Sequence, residues 1–427
     1  FEDYIAQDNR TVNHPYHYVT PMGERFTEAQ RDMYRVLFKR YKNDPRLGGW
    51  FFYAGPSEGF LTDCWTRIGD YSMSAKRRFR AYLKNLYGNS LDKLNAAWKT
   101  KYSKWDAIQP PLPDFTTKWE ASVQWRDFIN FKQDFVVTRL TELQKLLREI
   151  DPKRSALMYA KEGFGATGAL APVFRKYKVR YSNGGGETTM SYVQSCIMNN
   201  FGVPVTCEGH WVMPNPGSVF CVLTNSILAG KFAGNNIMWG GVWTKRIHDQ
   251  TPSTKMIMHT TKAISKIADE LNTSVQTAPR WTGYYSSANA LYTGRQFRLP
   301  GNQALNQLHN SAQQKLHIQE SWVDDFTPVS ILSKYPVIVD ADSKIMTAES
   351  VRDILEYVKG GGILLAPLSM GKYMPGLKNP VYQVASAMGI KNINESRLRP
   401  DSTVFGKHNV FMRDLYDIKG SAGKLKP

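Results

Sequence analysis

The sequence has little cysteine: Cys64, Cys196, Cys207 and Cys221 are the only four among 427 residues. They form no CxxC pair, and none has a histidine partner at metal-ligand spacing. A disulfide framework and a zinc site are therefore not expected, and the cysteines read as free or buried thiols. They do not decide the redox compartment. Long apolar runs are also lacking. Runs such as Val337-Ile338-Val339 fall far short of the roughly 20 residues of a membrane span, so no membrane partner is expected. Acidic residues are the third shortage. There are 37 of them against 55 Lys plus Arg, which leaves a formal net charge of +18. Such a balance points to an anionic partner: nucleic acid, a membrane surface or an acidic polymer. No nucleic-acid recognition motif accompanies the charge, and the basic residues are spread along the chain, so nucleic acid is set aside. Internal repeats and long low-complexity tracts are absent too.

Apolar residues (42%) and charged residues (22%) stand in ordinary globular proportion, which excludes a disordered or fibrous chain. The length suits two or three domains at roughly 150 residues each. Eleven Trp and 22 Tyr supply flat faces that suit sugars as well as bases.

The pattern alternates strand and helix signals. An amphipathic stretch over 27–43 stops at Asp44-Pro45. The aromatic run Trp50-Phe51-Phe52-Tyr53 reads as a buried parallel strand. Helical patterns follow over 73–87, 91–98 and 119–150, the last stopped by Asp151-Pro152. Strand signals return at 155–159, 178–182, 203–207 and 235–240, with helices over 190–200, 217–231 and 253–271. Such a βαβα order predicts a parallel sheet or barrel. Five strands are counted where a closed (β/α)8 TIM barrel needs eight. About three βα units, on the order of 100 residues, are thus expected upstream of Phe1. From near Arg280 a second unit begins: strands at 281–285, 335–340 and 363–366, with a helix over 350–358. Strand, helix, Gly360-Gly361-Gly362 and strand is the spacing of a doubly wound α/β layer. The glycine run lacks a GK[ST] ending and closes a helix, so it is not a phosphate loop. The expected organisation is a barrel over 1–275, an α/β layer over 280–375, and a tail or start of a further domain over 376–427.

Two glutamates directly follow predicted strands: Glu58 after Trp50–Tyr53 and Glu208 after Val203–Cys207. Strand ends converge at the mouth of a barrel, so residues 150 positions apart can meet there. Glycoside hydrolysis needs two carboxyls, about 5–5.5 Å apart in retaining enzymes. Spacing alone also allows helix caps or ion-pair partners. Other polar and aromatic residues gather at the same strand ends. Tyr159, Lys161, Glu162, Asn183, Glu187 and His210 are candidates for substrate hydroxyls or sulfate. Trp211, Trp239 and Trp243 offer stacking faces, packing being the alternative. Lys76, Arg77, Arg78, Arg80 and Lys84 form a basic helix face that is either solvated or part of a polyanion path.

Several local stretches together resemble glycoside hydrolase family 42, the β-galactosidase family of the retaining (β/α)8-barrel clan A. They are Arg46–Trp50 through Glu58, Asp70-Tyr71-Ser72, Phe79–Leu83, Leu86-Tyr87-Gly88 and Leu91–Trp98, then Glu208–Gly217 and Ile227–Trp239. Residues 280–373, and 334–366 most of all, are similar to that family's amidotransferase-like second domain, which implies a homo-oligomer, dimer or trimer. The resemblance implies Glu58 as acid/base at the end of strand 4 and Glu208 as nucleophile at the end of strand 7, with no cofactor. Ser57 stands where the family carries an Asn that contacts the sugar 2-hydroxyl. That departure implies a divergent branch, and enzymes on this scaffold include ones acting on red-algal galactans such as carrageenans. The expected partner is a galactose-containing poly- or oligosaccharide, sulfated in view of the charge. Small neutral galactosides and a non-catalytic carbohydrate-binding role are the alternatives. The expected location is secreted or periplasmic.

Overall fold

The computed structural model describes residues 20–53, 70–111, 122–161, 167–184, 189–209, 232–237, 252–267, 270, 279–289, 300–316, 318–376 and 379–390. The chain divides into two units, Phe1–Thr277 and Ala278–Pro427.

In the first unit five parallel strands lie side by side in chain order: β1 (Gly49–Tyr53), β2 (Ser155–Lys161), β3 (Val179–Gly184), β4 (Val205–Gly209) and β5 (Phe232–Ile237). Parallel neighbours joined in sequence by right-handed crossovers put all their helices on one side. That is the winding of a barrel wall. The helices are α1 (Glu24–Tyr41), α2 (Met73–Leu86), α3 (Leu91–Trp98), α4 (Val123–Ile150), α5 (Thr167–Lys176), α6 (Thr189–Asn200) and α7 (Pro252–Ser265). Among the described residues none of the helices is long and apolar enough to cross a membrane. The predicted helix over 217–231 lies outside the described residues.

Side chains alternate across a strand, so one face of the sheet is set by every second residue. Phe52, Met158, Tyr181 and Val205 occupy one register row and are all buried. Phe52 packs on Tyr34 and Phe38 of α1, at ring separations of 5.5 and 5.9 Å. Tyr181 packs on Phe174 of α5 at 6.0 Å. This is the helix-covered face. On the other face Phe51 and Arg180 are exposed.

The stops read from the sequence have structural work at the lower edge of the sheet. Asp151 ends α4 and accepts the Trp50 indole N–H at 2.8 Å. Arg154 donates to the carbonyls of Lys42, Asp44 and Leu47, and so ties the α1–β1 turn to the start of β2. Three helices meet at Asp127 of α4. Its carboxylate accepts the Tyr87 hydroxyl at 2.6 Å and the Trp98 indole N–H at 2.9 Å, with Arg126 on its other oxygen. The basic face of α2 is largely engaged in local contacts. Arg78 donates to the Met22 carbonyl, Arg80 to the Ile108 carbonyl and Arg77 to Ser74, while Lys84 lies over the Trp105 ring.

The second unit holds β6 (Trp281–Tyr285), β7 (Ser321–Asp324), β8 (Val337–Asp340) and β9 (Ile363–Leu365), all parallel, in the order β7-β6-β8-β9. The order reverses at β6, as in a doubly wound layer. Its helices are α8 (Pro300–Asn310), α9 (Val329–Leu332), α10 (Ala348–Lys359) and α11 (Gln383–Ala387). The core joins Ile354 and Tyr357 of α10 to Tyr284, Val323 and Ile338 of the sheet. The glycine run ends α10 for two separate reasons. Gly361 has φ of +96°, and a Cβ on Gly362 would stand 2.2 Å from the Tyr357 ring. The Tyr357 hydroxyl in turn donates to the carbonyls of Tyr335 and Pro336, which lead into β8.

Candidate active site

The upper ends of β1–β5 carry the predicted polar residues, and the ladder register orders them in two rows. The lower row runs Tyr53, Tyr159, Ser182, Thr206, Gly234. The upper row runs Lys161, Gly184, Glu208, Asn236. Both rows have the opposite parity to Phe52, Met158, Tyr181 and Val205. They therefore belong to the face away from the helices, which in a barrel is the interior. In parallel α/β folds functional groups collect at these C-terminal strand ends.

Glu208 is the fourth residue of β4, whereas the sequence reading puts it just after the strand. Pairing of Glu208 and Gly209 with Asn236 and Ile237 of β5 extends the ladder past Cys207. A bulge between Val205 and Thr206 skips Ala233 on β5. Without that shift Asn235 would share the row of Glu208; with it, Asn236 does. Bulges beside active sites re-aim residues in this way.

The ladder thus brings Tyr159, Lys161 and Glu208 to one sheet end. Ser57, Glu58, Glu162, Glu187, His210, Trp211, Trp239 and Trp243 lie outside the described residues. β1 ends five positions before Glu58 in the chain. Sequence reasoning passed over Asn236 and Ser182, and it read Gly184 as part of a turn after the strand, whereas Gly184 is the last residue of β3. Asn236 sat inside a run read for its apolar content, and only the register singles it out. Ser182 is fully buried, and its hydroxyl has no hydrogen-bond partner among the described residues. Its neighbour in the row, Thr206, donates to the Tyr181 carbonyl at 3.3 Å.

A buried polar group lies where α2 begins, just after residues 54–69. Asp70 accepts the Thr20 hydroxyl and the Ser72 amide, the latter at 3.0 Å. Lys132 of α4 is fully buried nearby, over the Phe128 ring at 5.6 Å. Burial pushes its ammonium down to about 8, and the negative charge of Asp70 opposes part of that fall. Among the described residues, no three His, Cys, Asp or Glu side chains are grouped to hold a metal ion.

A five-stranded parallel sheet wound in chain order, with Lys161, Glu208 and Asn236 in one register row at its C-terminal end, is the arrangement of part of an α/β-barrel wall. The family is indicated by comparison. Residues 4–162 match the model of the glycoside hydrolase 42 family, described as β-galactosidase. β-Galactosidase Pbg of Clostridium perfringens is 28% identical over 159 residues, 35% of this chain and 21% of that protein. The match thus spans about a fifth of that relative's length. The β-galactosidase from the psychrophilic Marinomonas ef1 shares the fold at a TM-score of 0.70 and 15% identity, over 92% of this chain and 67% of its own. The family 42 exo-carrageenase of Bacteroides ovatus aligns at a TM-score of 0.54 and 15% identity, over 73% of this chain and 47% of its own. Residues 4–162 thus resemble the glycoside hydrolase family 42 β-galactosidases, and the chain shares the fold of solved structures from that family.

Proposed function

We propose that the protein is a retaining glycoside hydrolase that cleaves β-galactosidic linkages. The observation that carries the reading is the register position of Glu208 in the upper row of the sheet, in a chain whose residues 4–162 match the family 42 model. Glu208 is the nucleophile. It attacks the anomeric carbon while Glu58 gives its proton to the departing glycosidic oxygen, and a glycosyl ester forms on Glu208. Glu58, now a carboxylate, takes a proton from water. That water displaces Glu208 and releases the sugar. The order needs Glu58 with a raised pKa and Glu208 ionised. Ser57, Tyr159, Lys161, Glu187, His210, Trp211, Trp239 and Trp243 are assigned to the substrate. The double displacement uses no cofactor.

The substrate proposed is an anionic, sulfated galactan of the carrageenan type. The net charge of +18 and Ser57 in place of an asparagine support it over a small neutral galactoside. The amidotransferase-like layer over 280–375 is proposed to assemble the protein into a dimer or trimer, in a secreted or periplasmic setting. The test of mechanism is Glu208→Gly with azide. A nucleophile's loss is rescued by azide with formation of a glycosyl azide. Wild-type protein that hydrolyses nothing across sulfated and desulfated galactans would favour a carbohydrate-binding role instead.

A further inference from the structure

The lower edge of the first unit's sheet, at the other end of the strands from Glu208, gathers positive charge that the reaction does not use. Two half-buried arginines stitch three chain segments together there. Arg154 donates to the Lys42 and Asp44 carbonyls at 2.8 and 2.6 Å. Arg148 donates to the Arg154 carbonyl at 2.7 Å and the Tyr177 carbonyl at 2.8 Å. The end of α1, the α4–β2 turn and the α5–β3 turn therefore form one surface. Lys42, Lys153, Lys176 and Lys178 stand on it. All four are exposed, and none has a carboxylate partner among the described residues. The acids beside them are engaged: Asp44 holds Arg46 at 2.8 Å and Asp151 holds Arg154 at 3.3 Å, which leaves Glu149. Basic residues at a helix C-terminus answer the helix dipole, and that accounts for Lys42 and Lys176. Lys153 and Lys178 lie beyond their helices, in the turns. Rings lie among the charges. Arg40 sits over Tyr41 at 5.6 Å and Lys176 over Tyr177 at 5.4 Å, and Tyr41 is 38% exposed.

We propose that this lower edge is a second binding surface for the polymeric substrate, and that it holds a sulfated galactan by its sulfate esters. Lysines without partners beside exposed rings match a chain of flat sugars that carries negative charge at intervals. The inference rests on the hydrolase reading above for the identity of the polymer and adds a tether to it. Ser155 begins β2 and Lys161, six residues on, shares the row of Glu208, so the edge lies about 20 Å along the strands from that row. A tether at that distance raises the concentration of linkages near the strand ends and makes no contact with the reacting sugar. Its effect is thus confined to polymers. The same charges attract polynucleotides, and duplex DNA is accordingly one of the probes.

Binding tests the surface apart from turnover. Titration calorimetry on the full chain compares a sulfated galactan, its desulfated form and duplex DNA. Joint replacement Lys42→Gln, Lys153→Gln, Lys176→Gln and Lys178→Gln is expected to weaken sulfated galactan about tenfold or more at low salt and to flatten the salt dependence of binding. The joint replacement Lys93→Gln, Lys99→Gln, Lys101→Gln and Lys104→Gln, on and after α3, removes as much charge from another exposed stretch and should keep most of the affinity. Lys178 has φ of +53°, which glycine adopts without strain, so Lys178→Gly removes one of the charges and leaves the melting temperature no lower. It should weaken the polymer, whereas a lysine with only a structural role would leave binding unmoved. Turnover of a small aryl galactoside should be unchanged in all three proteins. Undiminished affinity in the lower-edge variant, an equal loss in both joint variants, or tighter binding of duplex DNA than of sulfated galactan overturns the inference. Sulfated galactan held through these lysines by a wild type that hydrolyses no galactan would sink the hydrolase reading and leave the surface standing. Hydrolysis with affinity untouched in the lower-edge variant would do the reverse.

Discussion

Asp340 closes β8 with its carboxyl buried, and its neighbours make that burial costly. The Ser343 amide donates to it at 3.0 and 3.2 Å, yet Asp342 and Asp325 add negative charge around it. Burial, more than those charges, pushes the group up to about 7 from an ordinary 3.8. In the folded chain the proton stays on until near pH 7, whereas in the unfolded chain it leaves near 3.8. Between those values the folded state binds more protons, so stability falls as pH rises through the window. Asp340→Asn keeps an oxygen for the Ser343 amide and removes the charge. The variant is therefore expected to melt above the wild type at pH 8, by the equivalent of ~1–3 kcal/mol, and to match it near pH 5. Thermal melts at the two pH values check this. A variant destabilised to the same extent at both would mean that the carboxyl carries no titration.

At the level of elements, Asp127 does for α2, α3 and α4 what a cap does for one helix. It accepts the Tyr87 hydroxyl that follows α2 and the Trp98 indole N–H at the end of α3, with 1% of the residue exposed. Asp127→Ala strands both donors, and the expected loss is ~2–4 kcal/mol. Asp127→Asn keeps one acceptor oxygen and should lose less. Denaturant midpoints of the two variants make the comparison, and an alanine variant within error of wild type would refute the coupling. α1 and α4 were legible in the sequence because each pairs a helical period with a strong stop, Asp44-Pro45 and Asp151-Pro152. Other elements were not. β7 is four residues long, Ser321–Asp324, all buried, and a run that short shows no alternation. α8 begins Pro300-Gly301-Asn302, three residues that read as a turn. The barrel-like sheet followed from strands and helices that alternate along the chain. The position of Glu208 at a sheet end was likewise legible, because an apolar run precedes it. Its row was not. Lys161, Gly184 and Asn236 share a row with Glu208 only through pairing between strands and through the bulge at Val205–Thr206, and neither leaves a local mark.

For the whole molecule the question is what a charge of +18 acts on. It is not a ready-made track on α2, since Arg77, Arg78 and Arg80 donate to Ser74, Met22 and Ile108. The remaining positive charge extends from the lower edge of the sheet over the rest of the chain, and a field so dispersed acts at long range on a polyanion more than on one sugar. Screening separates the two. The Debye length falls from about 10 Å at 0.1 M salt to about 3 Å at 1 M, so the dispersed field fades while a contact at one residue fades less. On a sulfated galactan polymer KM should therefore rise several-fold, on the order of three- to tenfold, between 0.05 and 0.5 M salt. On a neutral aryl galactoside it should stay flat. A short sulfated galactoside should fall between them, because it keeps the Lys161 contact and spans little of the field. Lys161→Gln should then lower affinity for the short sulfated substrate while leaving the salt slope of the polymer nearly intact, since one charge is a small share of the whole. Steady-state kinetics across that salt series distinguishes the two scales. Equal slopes for polymer and neutral substrate would show that the net charge has no part in substrate capture.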